Sequence, residues 1–357
     1  MVNRKRVMVT GACGFVGSHV VEGLLKSTDW DVVTVDRLSY SARNGYDRLR
    51  DVKAYDDSRV FRFQHDLNMP FGDGLIKEMG HIDYILHLAS ESHVDRSITD
   101  PVPFVKNNVN ITITMLELAR GLKDLKRFLY FSTDEVFGTA PQGVFYSEGD
   151  AHNSGNPYSA SKAASEQIVR AYANTYKLPC LITNTMNIIG ERQDKEKYLP
   201  LVINKVLSGD LLSIHANKDK TKAGQRHYLH ARNITAALIF ILENTTETLN
   251  GSSVSSGVFN IVGEREFDNE EFALLIRDCV NTVLIGQCGV DEKIVEKELN
   301  YELVDFHSSR PGHDMRYALS GDKLLSMGFE YPVTAAESVM KIVEWTLQPE
   351  NVRWLKE

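Results

Sequence analysis

No run of residues in this chain approaches the ~20 consecutive apolar positions of a membrane span. The basic N-terminal residues lead straight into a short strand-like run, Arg6 to Thr10, with no apolar targeting core after it. Cysteine is scarce: Cys13, Cys180, Cys279 and Cys288 are scattered and form no CxxC pair. In a chain of this length they read as buried thiols in a reducing compartment, not as a disulfide framework. Positive charge is not in excess either. Forty Lys and Arg against 48 Asp and Glu leave a formal net charge of -8, so no nucleic-acid partner is expected, and an anionic substrate would need a local basic pocket. Internal repeats and low-complexity tracts are absent. These absences point to a cytoplasmic protein with neither a membrane nor a nucleic acid as partner. Its 357 residues suffice for two domains, or for one large α/β unit with an elaborated end.

Short, often β-branched apolar runs lie at Arg6–Thr10, Asp31–Asp36, Val60–His65, Tyr84–Leu88 and Arg127–Ser132. Such runs read as buried parallel strands rather than half-exposed alternating ones. Helical patterns lie between them, notably Phe15–Lys26 and Pro103–Leu122; another helix is expected at Pro157–Tyr176 and a strand at Leu178–Thr183. Strand–helix alternation implies βαβ crossovers, and so an α/β, Rossmann-type doubly wound parallel sheet. After about Gly190 the pattern loosens into charged loops, among them Ala216–Gln225 with Lys218, Lys220 and Lys222, read as a solvated loop. The expected organisation is a dinucleotide-binding domain over residues 1–190, with 228–262 returning to it, and a smaller mixed α/β substrate lobe over 191–357. The segment after Tyr317, with Trp345 and Trp354, reads as a helix closing that lobe.

The stretch Thr10-Gly11-Ala12-Cys13-Gly14-Phe15-Val16-Gly17 follows the first strand and opens the first helix. Gly11, Gly14 and Gly17 would permit a tight turn, close backbone approach to a pyrophosphate and close helix packing. The phosphates would rest on the free N–H groups of the helix start. Asp36 closes the second strand at the right distance to accept from the adenosine ribose hydroxyls, which favours NAD over its 2′-phosphorylated counterpart; Arg37, the next residue, argues the other way. Asp66 and Leu67, after the third strand, would border the adenine.

Two further segments carry chemistry. Ser132-Thr133-Asp134-Glu135-Val136-Phe137-Gly138 ends a central strand, and Tyr158-Ser159-Ala160-Ser161-Lys162 starts a helix after Pro157. Tyr158 and Lys162 share one helical face, so the ammonium can lower the phenol towards working pH and make it a base for a sugar hydroxyl. Thr133 would orient the substrate oxygen.

The glycine loop, the run from Leu88 through Ala89, Ser90 and Glu91 to Ser97, the STDEVFG segment and PYSASKAAS resemble the extended short-chain dehydrogenase/reductase superfamily, and within it the dTDP-glucose 4,6-dehydratases. The likeness runs from about Arg6 to Tyr317. Its specific element is Asp134-Glu135, since epimerases and decarboxylases of the superfamily keep the hydroxyl, Tyr and Lys but generally not this acid pair. The resemblance implies NAD as cofactor, held also by Ala89, Tyr158 and Lys162. It implies that Tyr158 deprotonates the C4 hydroxyl while C4 is oxidised, that Glu135 removes the now acidic C5 proton, and that Asp134 protonates the departing C6 hydroxyl. The product would be a 4-keto-6-deoxy sugar. Adjacent residues on an extended strand point to opposite sides, so both carboxyls reaching one sugar requires a turn.

The resemblance also implies substrate contacts from Ser90, Thr133, Asn187, Arg226 (aimed at the diphosphate), Arg310 and His313, the last two in Arg310-Pro311-Gly312-His313-Asp314. No metal is implied. The chain departs from the family pattern at His227-Tyr228 after Arg226, at Ile188 after Asn187 and at Arg265. His227-x-x-His230 supplies too few ligands for a metal by itself. These departures bear on the base or the sugar rather than on the chemistry. Family members usually pair through helices matching Pro103–Leu122 and Pro157–Tyr176, so a homodimer is expected. The alternatives are a nucleotide-sugar C4 epimerase, which has no use for Asp134 and Glu135, and a non-catalytic dinucleotide-binding protein, which has no use for Thr133, Tyr158 and Lys162.

Overall fold

The computed structural model describes residues 4–43, 45–251, 253–287, 296–305 and 315–356. The first strands are β1 (Arg6–Thr10), β2 (Asp31–Asp36), β3 (Val60–Gln64), β4 (Tyr84–His87), β5 (Arg127–Thr133) and β6 (Cys180–Thr185). They are followed by β7 (Asn187–Ile189), β8 (Leu212–Ala216), β9 (Gln225–His230), β10 (Val258–Ile261), β11 (Glu266–Asp268) and β12 (Tyr301–Asp305).

The chain forms two compact units. The first comprises Met1–Thr185, Ala231–Ile261 and Leu319–Glu330. Its sheet runs β3-β2-β1-β4-β5-β6-β10, every neighbouring pair parallel, as the alternating pattern predicts. All four residues of β4 and all six of β6 are buried, the signature of strands covered on both faces. Met8, Val33, Ile85 and Phe128 from the strands join Ile111 and Met115 from the helix Pro101–Gly121 in one core. A fully buried side chain of this size contributes roughly 1.5–3 kcal/mol. Strand order reverses direction between β1 and β4, so the loops leaving their carboxyl ends diverge and open the crevice where doubly wound sheets bind ligands.

Strand β6 runs two residues beyond the expected Thr183. Asn184 and Thr185 look like strand enders but are buried with their donors engaged: Asn184 Nδ2 donates to Glu166 Oε1 at 2.8 Å, and the Thr185 hydroxyl to the Ser132 carbonyl at 3.1 Å.

The second unit comprises Met186–His230, Val262–Ala318 and Tyr331–Glu357. It holds a three-stranded sheet, β11-β9-β7, and a parallel pair, β12-β8. The helices Tyr198–Ser208, Asn269–Gln287 and Ala335–Thr346 supply its core through Val202, Ile203, Phe272, Val339 and Ile342, with Tyr228 stacked on Phe272 at 3.8 Å. The segment after Tyr317 is not one closing helix but three short ones, Asp322–Ser326, Ala335–Thr346 and Arg353–Lys356. Gly328, at φ 90°, and Pro332 interrupt it, and Thr334 restarts the middle helix with a capping box to Glu337. No helix among the described residues is long and apolar enough to cross a membrane.

His87, the last residue of β4, is buried, with Nδ1 2.8 Å from the Thr10 hydroxyl. Burial, and then the nearby Lys162 charge, push its imidazole down to about 3. A depressed folded-state value means the associated stability is complete above the unfolded value near 6.5 and is lost as pH falls through about 3. The unfolding free energy should therefore decline between pH 6.5 and 4 in chemical denaturation, and His87→Gln should flatten that part of the curve.

Candidate active site

The glycine loop sits at the carboxyl end of β1. Gly11 takes φ 67°, and a Cβ there would lie 2.9 Å from the Ala89 Cα, so only glycine lets the loop after β1 touch the loop after β4. Gly14 precedes the helix Phe15–Ser27 and turns back through its N–H to the Gly11 carbonyl at 3.1 Å. A Cβ on Gly17 would lie 2.1 Å from the Gly11 oxygen. The loop thus lies flat against the first turn of the helix, with Phe15 and Val16 opening that turn. This cradle would be filled by any side chain, and it matches what a dinucleotide pyrophosphate needs.

Asp36 ends β2, its Oδ2 accepting from the Cys13 N–H at 2.9 Å and its Oδ1 from Leu38 at 2.8 Å. Burial raises its carboxyl above the ordinary value, against the pull of those two N–H donors. Arg37 is engaged elsewhere: its guanidinium pairs with the Glu91 carboxylate and donates to Asn107 Oδ1 at 3.3 Å. Tyr40 donates to the same carboxylate at 2.8 Å. The cation that argued for a 2′-phosphate is therefore neutralised by Glu91, while the Asp36 carboxylate remains. Asp66 is exposed; burial works against its charge, but the backbone and side-chain N–H groups of Asn68 hold its carboxyl below the usual range. Leu67 packs into the core of the first unit. Ala89 and Ser90 are half-buried just beyond β4.

The second cluster lies at the end of β5. The strand stops at Thr133, and Asp134–Phe137 form a single 3₁₀ turn. This is the turn that two consecutive carboxyls require. It closes on Gly138 at φ 73°, where a Cβ would stand 2.2 Å from the Asn153 carbonyl oxygen. Thr133 caps the turn: its hydroxyl accepts from the Glu135 N–H at 3.4 Å and donates to Asp134 Oδ1 at 2.9 Å. Asp134 is buried and Glu135 half-buried, so the two carboxyls occupy different surroundings.

The helix Pro157–Tyr176 begins at Asn156, which forms a capping box with Ser159. Asn156 Oδ1 accepts from the Ser159 N–H at 2.9 Å, and Asn156 Nδ2 donates to Glu135 Oε2 at 3.1 Å. Tyr158, Lys162 and Glu166 follow at steps of four along this helix, all buried. Lys162 donates to the Phe131 carbonyl at 2.6 Å, and burial, partly offset by Glu166, pulls its ammonium down to about 7. Tyr158 differs from the expectation of a lowered phenol. Burial, followed by the charges of Glu135, Tyr130 and Asp134, holds it well above its ordinary value, while a hydrogen bond from Thr133 works the other way. Discharging Asp134 removes one of the groups that hold it up.

Asn156, Glu166 and Ser132 were missed at the level of sequence. An Asn-Pro pair opening a helix is a capping signal, but its second contact, to Glu135, joins residues 21 apart. Because serine keeps the cap while losing the donor to Glu135, Asn156→Ser should retain the thermal midpoint and lower kcat roughly tenfold, as expected for one hydrogen bond to a charged group. Asn156→Ala, losing the cap as well, should also cost about 1 kcal/mol of stability in the same melts.

Asn187 and Arg226 belong to the second unit. Asn187 is exposed at the start of β7. Arg226, on β9, is buried, donates to the carbonyls of Gln225 at 2.7 Å and Met315 at 2.9 Å, and lies 4.6 Å from the Tyr317 ring. His230 pairs with Glu191 at 3.2 Å, and His227 is paired in register with Glu266. Arg265 is exposed against Glu271. Arg310 and His313 lie outside the described residues.

A glycine cradle at a β1–β4 switch point, an Asp at the end of β2 and a Thr, Tyr and Lys set define an NAD-dependent enzyme of the short-chain dehydrogenase type. The chain belongs to the NAD dependent epimerase/dehydratase family, whose model matches residues 7–280. Within it, the chain is similar to the dTDP-glucose 4,6-dehydratases. It is 35% identical to the dTDP-glucose 4,6-dehydratase of Escherichia coli, over 98% of this chain and 94% of that protein. The crystal structure of DesIV, the dTDP-glucose 4,6-dehydratase from Streptomyces venezuelae solved with NAD bound, superposes with a TM-score of 0.78 at 30% identity, covering 98% of each chain. A UDP-glucose 4-epimerase from Thermus thermophilus reaches the same TM-score at 23% identity, a likeness of fold alone.

Proposed function

We propose that this protein removes water from the hexose of a nucleotide-diphosphate sugar, with dTDP-glucose as substrate, and releases the 4-keto-6-deoxy sugar. The observation that carries this reading is the Asp134–Glu135 turn, capped by Thr133 and tied through Asn156 to the helix of Tyr158. A C4 epimerase needs Tyr158 and Lys162 but gains nothing from two carboxyls there.

The glycine loop and Asp36 would hold NAD, which when bound takes hydride from C4 and returns it to C6. Tyr158 accepts the C4 hydroxyl proton, with Thr133 orienting that oxygen. The C4 ketone acidifies the C5–H, which Glu135 removes as a carboxylate; the Asn156 donor favours that charged form. Asp134, more buried, donates its proton to the departing C6 oxygen. Ser90, Asn187, Arg226, Arg310 and His313 are assigned to the substrate, with Arg226 on the diphosphate. The homodimer through the helices Pro101–Gly121 and Pro157–Tyr176 rests on the family resemblance and is tested by light scattering. Cytoplasmic placement rests on Cys13, Cys180 and Cys279 being buried free thiols.

The deciding experiment incubates purified protein and NAD with dTDP-glucose, UDP-glucose and their N-acetylglucosamine counterparts, and reads the product by mass spectrometry. Loss of one water from dTDP-glucose is the expected result. An unchanged mass with an altered C4 configuration would replace the dehydratase by the epimerase.

A further inference from the structure

NAD and NADP differ by a single group, a phosphate monoester on the adenosine ribose that carries roughly −1.5 to −2 charges at neutral pH. A carboxylate such as Asp36 repels that group, and in doubly wound sheets of this type an arginine nearby is what accommodates it. Arg37 follows Asp36 directly, and the next residue, Leu38, is held in the left-handed region at φ 59° with its N–H on Asp36 Oδ1 at 2.8 Å. Arg48 is also near, but it is 1% exposed, and its Nη1 donates to the Ser41 carbonyl at 2.6 Å and the Cys13 carbonyl at 3.5 Å. The Arg37 side chain, by contrast, is 34% exposed.

We propose that Glu91 is a cofactor-selectivity residue: it excludes NADP by holding the Arg37 guanidinium, so that no cation answers a phosphate on the ribose 2′ oxygen. The proposal rests on the reading above in which Asp36 holds that ribose. Arg37 Nη2 donates to Glu91 Oε1, and Arg37 Nη1 donates to Asn107 Oδ1 at 3.3 Å. The second oxygen of the Glu91 carboxylate accepts from the Tyr40 hydroxyl at 2.8 Å. Glu91 is fixed independently of this pair, because one buried side chain grips its backbone on both sides. Its N–H donates to Asn108 Oδ1 at 2.8 Å, and its carbonyl accepts from Asn108 Nδ2 at 3.0 Å. Asn108 Nδ2 also donates to Ser161 Oγ at 2.9 Å, on the helix that carries Tyr158 and Lys162.

The ion pair joins the loop after β2 to the loop after β4, across the carboxyl end of β1 where the glycine loop lies. It acts twice against a 2′-phosphate. It occupies guanidinium donors that a phosphate would need for a bidentate pair, and it adds a second carboxylate to the charge of Asp36. An NAD ribose needs neither: its 2′ hydroxyl donates to Asp36 whether or not Arg37 is paired. A cavity bordered by Arg37, Tyr40, Asn68, Glu91 and Asn107 gives the guanidinium room to turn once the Glu91 carboxylate is removed. Selectivity for NAD is thus divided between Asp36, which welcomes the hydroxyl, and Glu91, which disarms the neighbouring cation.

The test is titration calorimetry of the purified protein with NAD and, separately, with NADP. Glu91→Ala should bind NADP about 10- to 100-fold more tightly than wild type does, the scale of one freed hydrogen bond to a charged group, while NAD affinity stays within about twofold. Glu91→Gln, which removes the charge but keeps an acceptor for Arg37, should gain less. If the alanine variant binds neither dinucleotide, the isosteric Glu91→Gln carries the same test. Arg37→Ala combined with Glu91→Ala should bind NADP no better than Arg37→Ala alone, because the gain is made by the freed guanidinium. A Glu91 variant that binds NAD normally with no gain for NADP overturns the proposal, and so does a gain that survives the loss of Arg37. Asp36→Asn tests the reading underneath and should weaken NAD binding. An unchanged NAD affinity in Asp36→Asn would take the ribose away from Asp36 and bring down the cofactor reading, and the proposal with it, by a result distinct from the other two.

Discussion

Glu135→Gln should stop water loss from dTDP-glucose while leaving the protein folded and able to bind both ligands. The amide preserves the volume of the side chain and can still accept from Asn156 Nδ2, which lies 3.1 Å from Glu135 Oε2 in the native protein. What it lacks is basicity. Removal of a positioned general base typically costs 10²–10⁴ in rate, about 3–5 kcal/mol at the transition state. Because C5–H removal is the step assigned to Glu135, the loss should be accompanied by failure of the sugar C5 to take up deuterium from heavy water. The wild-type protein should exchange it during turnover. Substrate affinity, read by titration calorimetry, should change little, since the effect falls on kcat. The reciprocal variant separates the two carboxyls. Asp134→Asn should allow C5 exchange to continue while water loss slows, because the acid and not the base has been removed. If Asp134→Asn abolished exchange and Glu135→Gln did not, the two roles would be reversed.

Much of the first unit was legible because its signals are local. Buried parallel strands are short apolar runs, so β1 and β2 could be placed to the residue and β3 to β5 to within one or two. The glycine spacing announced the cradle, since the steric demand at Gly17 comes from Gly11 and Ala12, within a few residues of chain. The acid pair announced a turn before any turn was visible, because two neighbouring side chains on a strand cannot face one sugar. What stayed hidden depends on contacts between distant residues. Arg37 read as an argument for a phosphate until Glu91, 54 positions later, turned out to hold it. Glu166 carries no signal in the sequence, yet it is buried and accepts from Ser132, on β5, and from Asn184, on β6. The phenol's ionisation could not be read from the i, i+4 lysine alone. Burial and two carboxyls from another element outweigh it, and the magnitudes of those effects depend on distances that spacing does not supply. In the second unit, β8 pairs in parallel with β12 some 90 residues later, a crossover with no local signature.

The glycine cradle gives a prediction of comparable size that concerns binding rather than chemistry. Gly17→Ala should abolish measurable NAD binding and destabilise the protein itself, and the two effects can be separated. A methyl at Gly17 would sit 2.1 Å from the Gly11 oxygen and 2.8 Å from the Ala12 Cα, both backbone atoms that cannot rotate away. The loop or the helix Phe15–Ser27 has to move by about an ångström, and overpacking of this kind costs typically 1–3 kcal/mol in the folded state. That cost should appear as a lower chemical-denaturation midpoint without cofactor. The displaced loop also lifts its N–H groups away from the pyrophosphate. A hydrogen bond to a charged group is worth about 1.5–3 kcal/mol, so losing two weakens binding by at least about 100-fold. The stabilisation that NAD confers on the wild type in a thermal melt should therefore vanish. Gly121→Ala provides the control: its Cβ would meet nothing within 4 Å at the end of the helix Pro101–Gly121, so stability should hold or rise slightly and NAD affinity should not change. If Gly17→Ala bound NAD as tightly as Gly121→Ala, the pyrophosphate would not lie on this loop, and the contact between Gly17 and Gly11 would be a matter of packing alone.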